Sequence, residues 1–324
     1  MQNGTMQRGI SVLAQHSDAR SATARMGGGL RMEQCIPLIT PWMADEEVLL
    51  YTIVGSQFGA KVLTALDALG VPYKVVEVHP TKLKKVLVPP HTAPQLRWRG
   101  TILTDSADIL AALDRDLANP PFRLYPPAKK VAVQELEAFV GSTLNAFVLY
   151  FAWWVQEGYE ATYERLMLED FMPLCASVLP LPVSRRVLNL LVDTGRIRGS
   201  YRKKARAILG EGLIPSGRQA LPDEGPRLKA ALVKAVEALD ARFVSSKQLW
   251  VCATDHPSAA DFALYGILER FIGNEGDANL GAATPWLFRE ARVEKLRSWH
   301  QRMQTSYPIV FRGKTAVCRV WSKM

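Results

Sequence analysis

Paired cysteines are missing from this 324-residue chain. Its four cysteines, Cys35, Cys175, Cys252 and Cys318, are scattered with no metal-knuckle or CxxC spacing. That argues against a zinc site, a dithiol redox pair and a disulfide framework, and makes a reducing compartment the simplest home. No secretory hydrophobic segment occurs near the first residue. Acids are nearly missing from residues 1–32, where Arg8, Arg20, Arg25 and Arg31 stand against Asp18 alone. An Arg-rich, acid-poor opening fits an organellar transit peptide, and a plain disordered leader is the alternative. A mitochondrial or other organellar location is therefore expected, with the cytoplasm as the other reading. Residues 1–47 are set apart as a flexible leader. Since residues 1–32 carry no apolar periodicity that demands burial, deleting them should leave the midpoint of thermal unfolding unchanged. A large drop would mean that the leader packs against the body, and the transit reading would lose its support. Internal repeats and low-complexity tracts are absent as well.

What is present begins with length and an ordinary apolar fraction of 48%, enough for about two domains with cores. Residues 48–118 alternate strand and helix signals: Val48–Val54, Phe58–Leu69, Tyr73–Val78, Gln95–Trp98, Ile102–Thr104 and Ser106–Leu117. The first and third are dense apolar, β-branched runs. Between them Phe58, Val62, Leu63, Leu66 and Leu69 share one helical face, Gly70 sits where a C-cap glycine belongs, and Pro72 forbids continuation. So long a connection implies parallel strands joined by a right-handed crossover. Residues 119–128, rich in proline, read as a linker. Beyond them the pattern is helical over 129–312, with candidates at Lys129–Gln156, Glu160–Phe171, Ser184–Asp193, Arg202–Leu209, Arg227–Phe243, Ser258–Ile272 and Trp286–Ser306. A tail, 313–324, closes the chain.

Two stretches carry a choice of reading. Residues 138–156 contain no formal charge and approach the length of a membrane span. Gly141, Ser142, Thr143 and Asn145 weaken that reading, and a helix buried on most of its sides would have the same composition. The net charge of +9 gathers partly in residues 184–209, where Arg185, Arg186, Arg196, Arg198, Arg202, Lys203, Lys204 and Arg206 are opposed only by Asp193. Interleaved Val187, Leu188, Leu190, Leu191 and Val192 make the stretch amphipathic. An anionic membrane surface is one partner for it, and a solvated helix face is the bland alternative. No groove-reading motif or aromatic interleaving points to nucleic acid.

Three segments, Phe58-Gly-Ala-Lys61-Val62, Pro72-Tyr73-Lys-Val-Val-Glu-Val78-His-Pro80 and Leu103-Thr-Asp105-Ser106, resemble the thioredoxin-like domain of glutathione transferases. Within that superfamily they are most similar to the membrane-associated prostaglandin E synthase 2 group. Downstream, Pro257-Ser258-Ala-Ala-Asp261-Phe-Ala-Leu-Tyr265-Gly266 resembles the capping box of the transferase helical domain. The resemblance covers roughly 48–125 and 226–310. It implies an α+β two-domain fold, a thioredoxin-like α/β domain followed by an all-α transferase domain. Ser258 and Asp261 are read as a structural capping box.

The resemblance also assigns candidate site residues. In the redox and isomerase relatives the loop before the first helix reads Cys-Pro-Phe-Cys; aligned on Phe58 and Lys61-Val62, this chain has Ser56, Gln57, Phe58 and Gly59 there. Both sulfurs are gone, which puts dithiol chemistry and a prostaglandin isomerase activity in doubt. Several transferase classes use a serine at this point to hydrogen-bond the glutathione thiolate, which lowers the thiol pKa. Ser56 is thus the candidate catalytic residue, with simple helix capping as the alternative. The proline matching Pro94 is cis in the superfamily, and Ala93 before it would pair with the cysteinyl part of glutathione. Asp105 and Ser106 open a helix whose N-terminus could take the γ-glutamyl group; plain N-capping is the other reading.

Glutathione as co-substrate and an apolar small molecule are the expected ligands, with no metal, no nucleic acid and a homodimer as the assembly. The expected reaction is conjugation of the glutathione thiolate to an apolar electrophile. The alternatives are a non-catalytic interaction or membrane-docking protein like the metaxins, and an isomerase like prostaglandin E synthase 2.

Overall fold

The computed structural model describes residues 47–79, 82–164, 179–194, 197–217, 221–243, 248–272 and 283–309. Apart from Glu47, the leader lies outside them, as do the tail and Cys35, Cys175 and Cys318.

The first domain is a four-stranded sheet with helices. Strand β1 (Leu49–Thr52) leads into α1 (Gln57–Ala68) and then β2 (Lys74–Glu77). A short helix α2 (Leu83–Val86) precedes β3 (Gln95–Trp98) and β4 (Thr101–Leu103), and α3 (Ser106–Asp116) closes the unit. The strand order is β2-β1-β3-β4. β1 and β2 are parallel, as the long connection requires, while β3 runs antiparallel to β1 and β4 antiparallel to β3. This is the thioredoxin-like arrangement expected from the order of elements. Leu50, Val62, Leu66, Leu96, Ile109, Leu110 and Leu113 are buried and form its core. α1 ends where its sequence says it should: Gly70 has φ +67, a conformation glycine adopts without steric cost, and its N–H donates to Asp67 O at 3.1 Å.

The second half is helical. Its long first helix, α4 (Pro127–Trp154), is interrupted by two π-helical turns, Val140–Leu144 and Tyr150–Trp154. By length and composition it could cross a membrane, yet most of its apolar stretch is buried within the protein. Val133, Leu136, Val140, Leu144, Phe147, Val148 and Tyr150 are all covered, so burial accounts for the uncharged run. The short α5 (Gln156–Tyr159) continues into a π-helical turn, Glu160–Glu164, and the rest of the helix expected over Glu160–Phe171 lies outside the described residues.

Then come α6 (Leu181–Thr194), α7 (Ile197–Leu209), α8 (Glu224–Ala241) and α9 (Ala259–Ile272). The helix expected over Trp286–Ser306 is instead two: α10 (Leu287–Glu290) and α11 (Glu294–Ser306). α9 is buried along nearly its whole length and packs against both α1 and α4. Gly266 makes that possible, since a Cβ there would strike the Gln57 carbonyl oxygen of α1 and approach Lys61 N to 3.3 Å.

The basic stretch also divides. Arg202 is buried, makes an ion pair with Glu224 at 2.7 Å, and lies over the Trp154 ring at 5.0 Å. It belongs to the packing between α7, α4 and α8, and so is removed from the set of solvated charges. Cys252 is a free, buried thiol whose pKa burial pushes up to about 12, so it is inert at neutral pH.

Candidate functional site

Sheet register gathers the sequence-derived candidates at one end of the first domain. Tyr51, near the end of β1, pairs with Gln95 at the start of β3; Leu96 in turn pairs with Leu103 at the end of β4. The loop after β1 (Ser56), the residues before β3 (Ala93 and Pro94) and the residues after β4 (Asp105 and Ser106) therefore emerge at the same end of the sheet.

Ser56 is the N-cap of α1. Its backbone is extended (φ −72°, ψ 119°), and its Oγ accepts from Gly59 N–H at 3.1 Å. The side chain is half-buried, at the positive end of the helix dipole. Ala93-Pro94 is a cis peptide, as the resemblance implied. Pro94 is buried, and Ala93 packs on the cluster of Val76, Val78 and Leu87. The loop ahead of them is braced by the Gln95 amide, which accepts from Val88 N at 3.1 Å and donates to Val88 O at 2.8 Å.

Asp105 is the exposed N-cap of α3, its Oδ1 accepting from Ala107 N–H at 2.7 Å. Ser106 differs from its neighbour: it is buried, and its hydroxyl accepts from Lys61 Nζ at 3.3 Å. Any ligand contact at Ser106 falls to its backbone, and the side chain serves the interior.

Behind that serine lies a buried polar network that the sequence does not announce. Lys61 Nζ lies 2.6 Å from Glu137 Oε1, and Tyr125 O–H donates to the same carboxylate at 2.9 Å. Burial and the adjacent Glu137 charge raise the Tyr125 pKa, which keeps the hydroxyl a neutral donor. The network ties α1 and α3 to α4 through four residues spread over 76 positions of sequence, Lys61 to Glu137. A second link lies beside Ser56 itself. Gln57 Nε2 donates to Asn145 Oδ1 at 2.7 Å, and a Cβ added at Gly141, in the first π-helical turn, would meet the Phe58 ring at 3.9 Å. The long helix is therefore docked on the first turn of α1, where the candidate thiol-binding group sits.

Gly59, which aligns with the second cysteine of the redox relatives, has no room for a side chain unless its neighbours shift. A Cβ there would overlap Thr52 Oγ1 and come within 3.2 Å of Ser56 Cβ. Thr52 is fully buried, so its side chain would have to shift within a packed interior. Gly59→Cys is expected to destabilise the protein by about 1–3 kcal/mol through overpacking, and the added change Thr52→Ala should recover part of the loss. Urea unfolding of the single and double variants checks this; a stable Gly59→Cys protein would contradict it.

Comparison with known proteins agrees with this geometry. Residues 50–121 match the family model for the glutathione S-transferase N-terminal domain. No curated protein sequence matches the chain. Among solved structures, the beta-etherase LigF from Sphingobium sp. strain SYK-6 superimposes with a TM-score of 0.51 at 17% identity, over 80% of this chain and 95% of that one. Rice GST1, solved in complex with glutathione, gives 0.49 at 13% identity over 81% and 88%. A diazinon-metabolizing glutathione S-transferase of the silkworm Bombyx mori gives 0.45 at 16% identity over 81% and 93%. At 17% identity the LigF superposition speaks for the fold alone. The protein thus has a glutathione-transferase fold, with a thioredoxin-like domain followed by a helical region. The match to the glutathione S-transferase N-terminal domain falls on the thioredoxin-like domain, residues 50–121.

Proposed function

We propose that this protein binds glutathione at the end of the sheet that carries Ser56, Pro94 and Asp105, and conjugates the thiolate to an apolar electrophile. The observation that carries the proposal is the hydrogen bonding of Ser56. Its Oγ uses a lone pair to cap Gly59 N–H, which leaves the hydroxyl proton to donate to a bound thiolate. Capping and thiolate stabilisation are therefore compatible in one side chain. The free N–H groups of α1's first turn add to the anion's stability.

The Ala93 backbone would pair with the cysteinyl part of glutathione. Asp105 would accept from the γ-glutamyl ammonium, and the first turn of α3 would hold its carboxylate. Gly141, in the first π-helical turn of α4, and Asn145 just after it face α1, so the electrophile would lie beside this part of the helix.

The reaction needs no redox partner. The glutathione sulfur forms a bond to the electrophilic carbon, the leaving group departs with its electron pair, and the thiol proton goes to solvent on ionisation. Resemblance to the prostaglandin E synthase 2 group favours an isomerase reading, but Ser56 and Gly59 stand where those relatives carry cysteines, and the absence of both sulfurs opposes that chemistry. A homodimer, the usual assembly of this fold, is part of the proposal.

Retention of the protein on immobilised glutathione, with release by free glutathione and turnover of a generic aryl halide, is the test. Retention with turnover is the expected result. Retention without turnover would favour a binding module. Neither would favour the metaxin-like interaction protein.

A further inference from the structure

We infer that the two adjoining helices α6 and α7 dock on a lipid surface bearing anionic headgroups. The inference does not depend on the glutathione reading. Each helix has one side committed to the protein. On α6, Ser184 and Leu188 are buried; on α7, Arg202 and Ala205 are buried. Tyr201 stacks on Trp153 of α4 at 4.4 Å, Arg198 lies over the Tyr159 ring at 4.5 Å, and Arg202 is held by Glu224 and by the Gly217 carbonyl at 2.7 Å. The two helices are thus fixed to the body by their inner residues.

The other sides are composed differently from an ordinary solvated face. Leu181 is 54% exposed, Val183 42% and Leu190 62% on α6, and Ile208 is 46% exposed on α7. Interspersed with them, Arg185, Arg186, Lys203 and Lys204 are exposed too. Single exposed apolar residues are commonplace, but four large ones on two adjoining helices, among four exposed cations, call for a partner. Asp193 is the only acid in the sequence from 184 to 209.

The chemistry of the surface selects among partners. A nucleic acid would use the cations, but it offers nothing to leucines and wants aromatic platforms; Tyr201 is already stacked on Trp153. A bilayer interface uses both: the aliphatic side chains enter the boundary between headgroups and acyl chains, while arginine and lysine stay at headgroup level and pair with phosphate or carboxylate. Exposed apolar and cationic residues occur here on each helix, and a lipid surface with anionic headgroups can use both.

The test is co-sedimentation of the full chain with vesicles of phosphatidylcholine alone, and with vesicles in which part of it is replaced by phosphatidylserine. Binding to the second kind only, weakened by salt, is expected. Reversing the four cations together (Arg185→Glu, Arg186→Glu, Lys203→Glu, Lys204→Glu) should lower the partition coefficient at least about a hundredfold. Leu181→Gln with Leu190→Gln should lower it at every salt concentration, which a purely electrostatic encounter would not show. All these side chains are exposed, so circular dichroism and thermal unfolding of the variants should match the parent. The proposal is overturned if the parent fails to sediment with phosphatidylserine vesicles, or if it binds both vesicle types equally. It is also overturned if the leucine variant converts a dimer to a monomer, since the face would then join two copies of this chain.

Discussion

Ser56→Ala is expected to slow conjugation of glutathione to a generic electrophile about ten- to a hundredfold, because one hydrogen bond to a charged group contributes roughly 1.5–3 kcal/mol. The sign of the pH effect follows from the same bond. A donor to the thiolate lowers the thiol pKa, so its loss raises that pKa and moves the rising limb of the pH–rate profile to higher pH. Affinity for glutathione should change much less, because the Ala93 backbone, Asp105 and the start of α3 hold the rest of the molecule.

Ser56 is also a helix cap, so the alanine variant should lose about 1 kcal/mol of stability for that reason alone. Ser56→Gly separates the two effects. Glycine at an N-cap costs only a few tenths of a kcal/mol, yet it has no hydroxyl, so its rate should fall as far as that of the alanine variant while its stability is nearly kept. Ser56→Cys should form mixed disulfides with glutathione, since a cysteine at a helix N-terminus has a depressed pKa. Equal rates and equal profiles for the parent and Ser56→Gly would reduce Ser56 to a structural cap.

The largest effect on stability is expected far from that site, at Asp261. This carboxylate is wholly buried at the start of α9 and accepts four hydrogen bonds: from Ser258 N at 2.9 Å and Oγ at 2.7 Å, from Val251 N at 3.0 Å and from Trp299 Nε1 at 2.9 Å. It joins α9 to the loop before it and to α11. Burial raises its pKa, while the four donors pull the other way.

Asp261→Ala leaves those donors without an acceptor in a dry interior. Each orphaned donor costs about 1–3 kcal/mol, and partial relaxation brings the sum to about 3–5 kcal/mol. At roughly 2–4 °C per kcal/mol, the thermal midpoint should fall by about 10 °C. Asp261→Asn keeps one acceptor oxygen and should lie between the parent and the alanine variant. Calorimetry of the three proteins checks the order; an alanine variant as stable as the parent would refute it. The capping box read from the sequence accounts for the Ser258 bonds. The bonds from Val251 and Trp299 come from tertiary packing.

That division runs through the molecule. Segments governed by near neighbours were legible: β3 occupies Gln95–Trp98 as read, and α1 is bounded by a serine cap and Gly70. The same local logic placed Ser56 at a helix N-terminus and Asp105 at another. Features set by distant partners were not. α2, at Leu83–Val86, has no buried residue and only four positions, too few for a periodicity to show. The break between α10 and α11 has no glycine or proline to mark it. There Glu237 Oε1 accepts from Arg292 N and Asp240 Oδ1 accepts from Leu296 N, so side chains of α8 cap backbone that would otherwise stay helical. Arg202 looked like one more solvated cation because Glu224, its buried partner, lies 22 residues on. For the same reason the sequence does not show that the Ser106 hydroxyl belongs to the network of Lys61, Glu137 and Tyr125, which leaves its backbone N–H for a ligand.

The central claim is that Ser56 stabilises the thiolate of bound glutathione, and the most direct measurement is a pH titration of the ultraviolet thiolate absorption of glutathione in complex with the parent protein and with Ser56→Gly. In the parent, the bound thiol should ionise below the ordinary thiol value of about 8.5, and in Ser56→Gly its ionisation should return toward that value with binding retained. An unshifted thiol in the parent complex, or the same depressed value in both proteins, would contradict the account.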